Sequence, residues 1–546
     1  MVSTNRKYII VTGGVISGLG KGVSGASIGL LFSDSYKVVP IKLDGYLNVD
    51  PGTMNPIEHG EVFVLDDGSE VDMDFGHYER FLGTHGMKEQ SITMGKIYDE
   101  IRQKERRGDY LGKTVQLIPH VTDLIQEKIL AVGEKTNADI VLVEVGGTIG
   151  DLENDLFVEA VRQLQRKLGY ENIAYIHLTY VPIPYGVKEQ KTKPTQQSIH
   201  LLQTKGIWPD MIIGRCSEEL TDSVKKKIAL FANLQPQDIF SAQDVDSIYK
   251  IPSVFNKQGI VERLCERLQL KVPSRKRFEL WQSLLSHKRE KQVTIAIAGK
   301  YTDLEDSYAS VVESLVHCSY VLDVQVKIEW IDTTKEINTK QLDSVQAVIV
   351  PGGFGSRGID GKLAVIKYVR EKKIPYLGIC YGLQLAVIEF LKDVCGIKEA
   401  MTTEIEPKTI HPAITMLDEQ KKVVDMGGTM RLGAYKARLV QGIVDEQYRE
   451  VKRCEFENNV CIVSERHRHR YEVNPNYISQ LEKHGLKIVG YSHERQLVEF
   501  IELDSKLHPY FVATQAHPEL VSKLETPAPL FYGLVKYAMK RAESKK

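Results

Sequence analysis

"KYIIVTGGVISGLGKGVS", residues 7–24, decides the fold of the first half of the chain. An apolar run, 7–12, ends in a glycine-rich loop, and a small-residue stretch, "SGASIGLLFSD", follows Lys21. That order predicts a buried strand, a turn and a helix. Successive backbone N–H groups at a helix N-terminus make an anion site, and Lys21 adds a point charge. The loop departs from the common P-loop in two ways. Five residues separate Gly14 from Gly20, and Gly22 follows Lys21 where a hydroxyl would meet the metal. The plain alternative is a tight strand-to-helix turn. The lysine, the strand and the helix together favour phosphate.

Working outward, further apolar runs lie at 37–42, 139–145, 173–179 and 211–214, separated by helical patterns. They are apolar throughout rather than alternating, so the reading is a βαβ system with a parallel sheet. A charged stretch at 273–291 places Leu280, Trp281, Leu284 and Leu285 near helical spacing and reads as an amphipathic linker helix. A second α/β series starts at 292, and toward the end strands follow one another with fewer helices between. The expected division is 1–272, a linker helix over 273–291, and 292–546. A chain of 546 residues is too long for one core, which agrees. Its formal net charge of −1 gives no reason to expect nucleic acid. No apolar run approaches membrane-spanning length, and the first residues lack a signal-peptide pattern, so a cytoplasmic protein is expected. Seven scattered cysteines, none at C-x-x-C spacing, argue against a disulfide framework or zinc site and for a reducing compartment.

With no hydroxyl after Lys21, carboxylates elsewhere are the candidates for Mg²⁺. "EVDMDFGHYERF" offers Asp72 and Asp74, on one side if extended, and Glu144 ends the 139–145 run. By spacing alone these read equally as ordinary loop carboxylates. "KEQKTKPTQQS" (188–198) gathers Lys188, Lys191 and Lys193 and reads as a solvated loop or as a second polyphosphate site. The run Lys225–Lys227 reads as a solvated face.

"PYLGICYGLQ" (375–384) sets Cys380 between glycines at a strand-to-helix turn. A sharp turn there exposes the side chain and aims a helix N-terminus at it, as in a nucleophile elbow. "VPGGFGSRG" upstream offers N–H groups at Gly352, Gly353 and Phe354 for an oxyanion. "ATQAHPEL" puts His517 two residues before Glu519, completing a Cys–His–Glu triad. The alternative for Cys380 is a buried structural thiol. "SERHRHRYEV" (464–473) reads as a substrate-binding loop or surface strand, with Arg470 able to meet a carboxylate bidentately.

These stretches, with "YLNVDPGTMNPIEHGEVFV", "VEVGGTIGDLE", "DVDSIYKIP" and "GGTMRLG", resemble the CTP synthase family along nearly the whole chain. The resemblance implies two Rossmann-like α/β domains, a P-loop-like amidoligase (synthetase) domain and a class I glutamine amidotransferase domain. It implies that ATP phosphorylates O4 of UTP and that ammonia from glutamine displaces the phosphate. It carries ATP binding to Ser17, Gly18, Leu19, Gly20, Lys21, Gly22, Lys42, Asp74, Gln243, Asp244 and Val245, and Mg²⁺ to Asp74 and Glu144. It carries the UTP site, shared with the inhibitor CTP, to Ser17, Asp151, Leu152, Glu153, Lys191, Thr192, Lys193, Pro194, Thr195, Gln196 and Lys227. The triad falls on Cys380, His517 and Glu519, and the glutamine site on Gly353, Tyr381, Gly382, Leu383, Gln384, Glu404 and Arg470. GTP is implied as activator, with Arg431 in a mobile lid. His59 and Val62 match the narrowing of an ammonia tunnel, and self-association into tetramers or filaments is implied.

Three departures stand out: Gly45 for a usual proline, Ala516 for a usual aromatic residue, and Tyr381 with Leu383 for the commoner pair. Two other readings compete. A cobyrinate-type amidase shares the domain pair but lacks "KTKPTQ" and "YLNVDPGTM". A non-catalytic assembly protein has no need of an intact Lys21 and triad.

Overall fold

The computed structural model describes residues 6–54, 60–302, 305–416 and 430–544. The chain divides into two compact units, Met1–Thr53 with His77–Leu285, and Met54–Gly76 with Ser286–Lys546.

The first unit is built on a seven-stranded sheet in the order 91–93, 38–44, 140–145, 7–13, 173–180, 211–216, 239–243. Every pairing is parallel. The strands Lys7–Gly13, Val38–Asp44 and Ile140–Val145 are buried at every position, as their unbroken apolar runs require for a sheet covered on both faces. Neighbouring strands diverge from Lys7–Gly13, and the crevice beyond their carboxyl ends is where open α/β sheets bind ligands.

The second unit has a ten-stranded mixed sheet. Its parallel half runs 324–332, 291–299, 347–350, 376–379, 511–514. Its antiparallel half continues 498–503, 486–492, 431–439, 460–469, 455–457. The thinning of helices toward the C-terminus reflects this change, because antiparallel strands need no crossover helix.

The units do not follow the expected division. Residues 60–76 belong to the second unit, where the short strands Phe63–Val64 and Glu70–Val71 pair. Arg466 Nε donates to Asp66 at 2.6 Å and Arg468 Nε to Glu70 at 2.6 Å. Arg466 and Arg468 of "ERHRHR" are thus spent on these carboxylates. They lie on an inner strand, with Arg466 0% exposed, and not on a surface strand or loop. The helix Lys276–Ser286, read as a linker, packs within the first unit. Trp281 is fully buried, donates from Nε1 to the Tyr249 carbonyl at 2.8 Å and meets the Phe81 ring at 5.2 Å. Leu280, expected on the same apolar face, is 65% exposed; Phe278 takes the buried place.

Contrary to the cysteine reading, Cys454 and Cys461 are joined by a disulfide, Cα atoms 5.3 Å apart. The linear spacing hid the pair because a hairpin makes it. Asn458 and Asn459 both take left-handed φ, 50° and 66°, the two-residue turn that antiparallel strands favour. Among the described residues no helix is long and apolar enough to cross a membrane.

Candidate active site

In the first unit, Gly18 and Gly20 adopt φ of 72° and 85°, so the loop turns its backbone in a way side-chain-bearing residues resist. The helix Lys21–Phe32 starts there. Lys21 is buried, and its Nζ donates to the Gly147 carbonyl at 2.7 Å. Parallel register then sets the chemistry beside the loop. Lys42 pairs with Glu144 across adjacent strands, and Nζ lies 3.5 Å from Glu144 Oε1 and 3.7 Å from Asp44 Oδ1. Tyr78 donates its hydroxyl to Glu144 Oε2. Thr12 likewise pairs with His177, Oγ1 to Nδ1 2.9 Å, and His177 Nε2 meets Ser198 Oγ at 2.7 Å. Burial, helped by the Lys21 charge, pushes the His177 pKa down to about 3, so this relay is neutral.

Asp72 and Asp74 are not side by side on a strand. The Asp72 carboxylate accepts the Asp74 amide at 2.9 Å, and Asp74 opens the helix Asp74–Leu82. Asp74 falls in the second unit and Glu144 in the first. The "KTKPTQ" stretch starts the helix Lys193–Thr204, with Pro194 in its first turn. Gln196 Nε2 donates back to Thr192 Oγ1 at 2.9 Å, and Lys191 pairs with Glu189 at 2.6 Å. Asp151 Oδ2 accepts the Thr148 amide at 2.8 Å, while Leu152, Glu153 and Lys227 are exposed. At the end of strand Ile239–Gln243, Gln243 Oε1 is buried with no hydrogen-bond partner among the described residues. Asp244 pairs with Arg215 at 2.5 Å.

In the second unit, Ile379 and Thr514 are paired on adjacent parallel strands, so Cys380 and His517 follow from neighbouring carboxyl ends. Cys380 holds φ 49°, ψ −98° at the start of the helix Tyr381–Asp393, a strained turn for a residue with a side chain. Gln515 Nε2 donates to its Sγ at 3.6 Å. His517 Nδ1 and Glu519 Oε1 are 2.7 Å apart. Burial alone would lower the His517 pKa; the charges of Glu519 and Cys380 outweigh it and hold it up at about 10. A Cβ at Gly352 would lie 2.8 Å from His517 Cε1, so only glycine lets this loop approach the imidazole. The loop is tied down by Glu404, whose Oε1 accepts the Gly355 amide at 2.8 Å, and by the Tyr381 hydroxyl on the Gly355 carbonyl at 3.1 Å. Gln384 Nε2 donates to the Tyr471 carbonyl at 3.0 Å. Gln384 Oε1 and Arg470 Nε are buried without partners among the described residues. A thiol beside an imidazole that a carboxylate orients, facing backbone amides, is equipped for acyl transfer.

A family model described as "CTP synthase N-terminus" matches residues 7–270, and one described as "Glutamine amidotransferase class-I" matches 303–537. The CTP synthase of Borreliella afzelii (strain PKo) is 50% identical over 539 residues, covering 97% of this chain and 99% of its own. That of Archaeoglobus fulgidus is 48% identical over 541 residues, covering 98% of both chains. The chain belongs to the CTP synthase family. It is a ligase with a glutamine amidotransferase domain, and its reaction is the synthesis of CTP. Among solved structures, the glutaminase domain of Trypanosoma brucei CTPS with bound acivicin is 34% identical. It covers 45% of this chain and 94% of its own, with a TM-score of 0.41.

Against the family pattern, Gly45 has a local cause. A Cβ there would lie 2.5 Å from Asn154 Oδ1 and 2.9 Å from the Glu153 carbonyl oxygen, so the loop after Lys42 is packed on the Leu152–Asn154 turn. Ala516 is 1% exposed, and its amide donates to Thr514 Oγ1 at 3.1 Å. His59 and the first three residues of the "GGTMRLG" segment, 427–429, lie outside the described residues; Val62 is buried in the second unit. Arg431 opens the strand Arg431–Leu439 and is buried, bonding Glu472 at 3.0 Å and Glu499 at 2.7 Å, so it is a strand residue and not part of a lid. The sequence reading passed over Lys362. Its amine is buried 3.4 Å from where a Cβ on Gly353 would lie and over the Tyr381 ring. Burial and the nearby Lys300 charge push its pKa down to about 7, with Cys380 opposing. A lysine in an apolar helical pattern, "GKLAVIKYV", carries no signal of that position.

Proposed function

We propose that this enzyme makes CTP from UTP, ATP and glutamine through a UTP phosphorylated at O4. Cys380 attacks the glutamine amide, Gly353 and its neighbours receive the oxyanion, and His517, oriented by Glu519, hands its proton to the leaving ammonia. Gln384, Glu404 and Arg470 hold the amino acid; the buried, unpartnered Arg470 Nε suits a carboxylate. Tyr381, Gly382 and Leu383 line the same turn. In the first unit, Ser17 to Gly22 cradle the ATP phosphates, and Lys21 and Lys42 neutralise charge. Phosphoryl transfer asks for little else than positioning and such neutralisation. The unpartnered Gln243 oxygen, with Asp244 and Val245, suits the amino edge of adenine. Lys191 to Gln196, Lys227 and Asp151 to Glu153 hold UTP or the inhibitor CTP.

For Mg²⁺ the reading rests on donor chemistry: Asp74 and Glu144 offer the carboxylate oxygens a hard cation takes. Bound there, it would supply charge neutralisation to the phosphates. GTP activation, feedback by CTP, assembly into tetramers and a cytoplasmic location complete the reading by family membership.

The observation that carries it is the joint presence of the Lys42–Glu144 pair behind a glycine loop and the Cys380–His517–Glu519 arrangement in one family-matched chain. With ATP, UTP, Mg²⁺ and glutamine, the protein is expected to form CTP. Cys380→Ala abolishes CTP formation from glutamine and retains it from added ammonia. Equal loss of both would refute the assigned division of labour.

A further inference from the structure

We infer that Asp445, Cys454 and Cys461 form a site for one borderline-soft divalent cation, Zn²⁺ being the type, once the Cys454–Cys461 bond is reduced. One donor atom from each of the three residues lies within 4.8 Å of the other two. Cys461 is fully buried on strand Val460–His469, and Cys454 is half-buried just before Glu455–Glu457. Asp445 approaches from the first turn of the helix Ile443–Glu450.

The carboxylate supplies the second, independent observation. Asp445 is only 4% exposed. Its Oδ2 accepts from Arg449 Nε at 2.7 Å, and its Oδ1 is buried with no hydrogen-bond partner among the described residues. A buried carboxylate oxygen without a donor is costly. One oxygen fixed by an arginine and the other left over is how outer-shell partners orient a metal-ligating carboxylate. Two thiolates and a carboxylate suit zinc by softness and by geometry. Bonds of about 2.3 Å to sulfur and about 2.0–2.2 Å to oxygen place tetrahedral ligands roughly 3.5–4 Å apart, inside the observed spread. Two thiolates and one carboxylate against a dication leave one negative charge, which the Arg449 guanidinium faces. Asp445 and Arg449 also line a groove of about 800 Å³ with Arg438, Gln441, Asn459 and Tyr491.

The pair is either a disulfide or a ligand set. A dithiol reductant gives two electrons and two protons to the S–S bond. The bond breaks, two thiols form, and the reductant leaves as its own disulfide. The cation then displaces the two thiol protons to solvent as two metal–sulfur bonds form.

The test uses the full-length Cys380→Ala protein, so that the Cys380–His517 pair takes no metal. It is reduced, freed of reductant and titrated with Co²⁺. One equivalent is expected, with the sulfur-to-cobalt charge-transfer band and tetrahedral d–d bands, both abolished by Zn²⁺. The oxidised protein is expected to show neither band. Cys454→Ser and Asp445→Asn should each weaken binding more than about tenfold, and Cys395→Ser should leave it unchanged. Cys454 is half-buried, so its variant tests the site where Cys461→Ser would endanger the strand. No stoichiometric cobalt, or bands that survive Cys454→Ser, would overturn the site. Wild-type affinity in Asp445→Asn would remove Asp445 from it.

Discussion

Burial alone would keep His517 neutral; Glu519 at 2.7 Å and the Cys380 sulfur reverse that and leave an imidazolium up to a pH of about 10. The imidazole is therefore supplied with the proton that a leaving ammonia needs. Lys362 answers to the opposite balance. Among the described residues its amine has no carboxylate partner, and burial with the Lys300 charge pushes its pKa down to about 7, beside Gly353. Its charge is present below that pH and lost above it. Lys362→Met is expected to lower kcat/KM for glutamine by about tenfold at pH 6.5, and by much less at pH 8.5, because removal of an oxyanion-stabilising group costs this order or more. Ammonia-dependent CTP formation should not change. Rate assays at the two pH values check both statements; an equal loss at both pH values would count against a role for the charge.

At the scale of elements, parallel register does most of the placement. Lys42 meets Glu144, Thr12 meets His177, and Cys380 is set near His517, each because two strand ends are adjacent. The helix Lys276–Ser286 shows the limit of periodicity. Its apolar residues suggest a stripe through Leu280, but the side chain that is wholly buried is Trp281, against Tyr249 and Phe81. Trp281→Ala should destabilise the first unit by about 3–5 kcal/mol, the usual cost of truncating a buried aromatic side chain. Chemical denaturation followed by the fluorescence of the two remaining tryptophans, Trp208 and Trp330, checks this, with the first unit reported by Trp208.

At the scale of the whole molecule, the formal net charge is −1, and one cluster of charges lies wholly inside. Arg431 is shared by Glu472 and Glu499, both 1% exposed at the side chain. His467 and His469 face the same carboxylates and are held neutral, first by burial and then by the Arg431 charge. Burial outweighs the attraction of one guanidinium for two carboxylates and raises both glutamates to about 7. Such groups contribute stability that is complete below their unfolded pKa of about 4.5 and is lost as pH rises through about 7. Glu499→Gln leaves Arg431 to Glu472 alone. Between pH 5.5 and 7.5 its unfolding midpoint should fall less than that of the wild type, by about 2–4 °C. Calorimetry at the two pH values measures the difference, and parallel slopes would contradict it.

The two α/β series, the glycine loop at Lys21, the elbow at Cys380 and the His517–Glu519 pair were legible in the sequence. Each is a local pattern, set by residues a few positions apart or by an unbroken apolar run. It took the folded chain to bring residues 60–76 to the second unit, Arg466 and Arg468 to Asp66 and Glu70, and Lys362 to Gly353. The fold also decided that Cys454 and Cys461 meet over Asp445. In these cases the partners are distant in sequence or joined by a turn, and their side chains are ordinary in type. What makes them special is burial and the neighbours they meet, properties that exist only after the chain has folded.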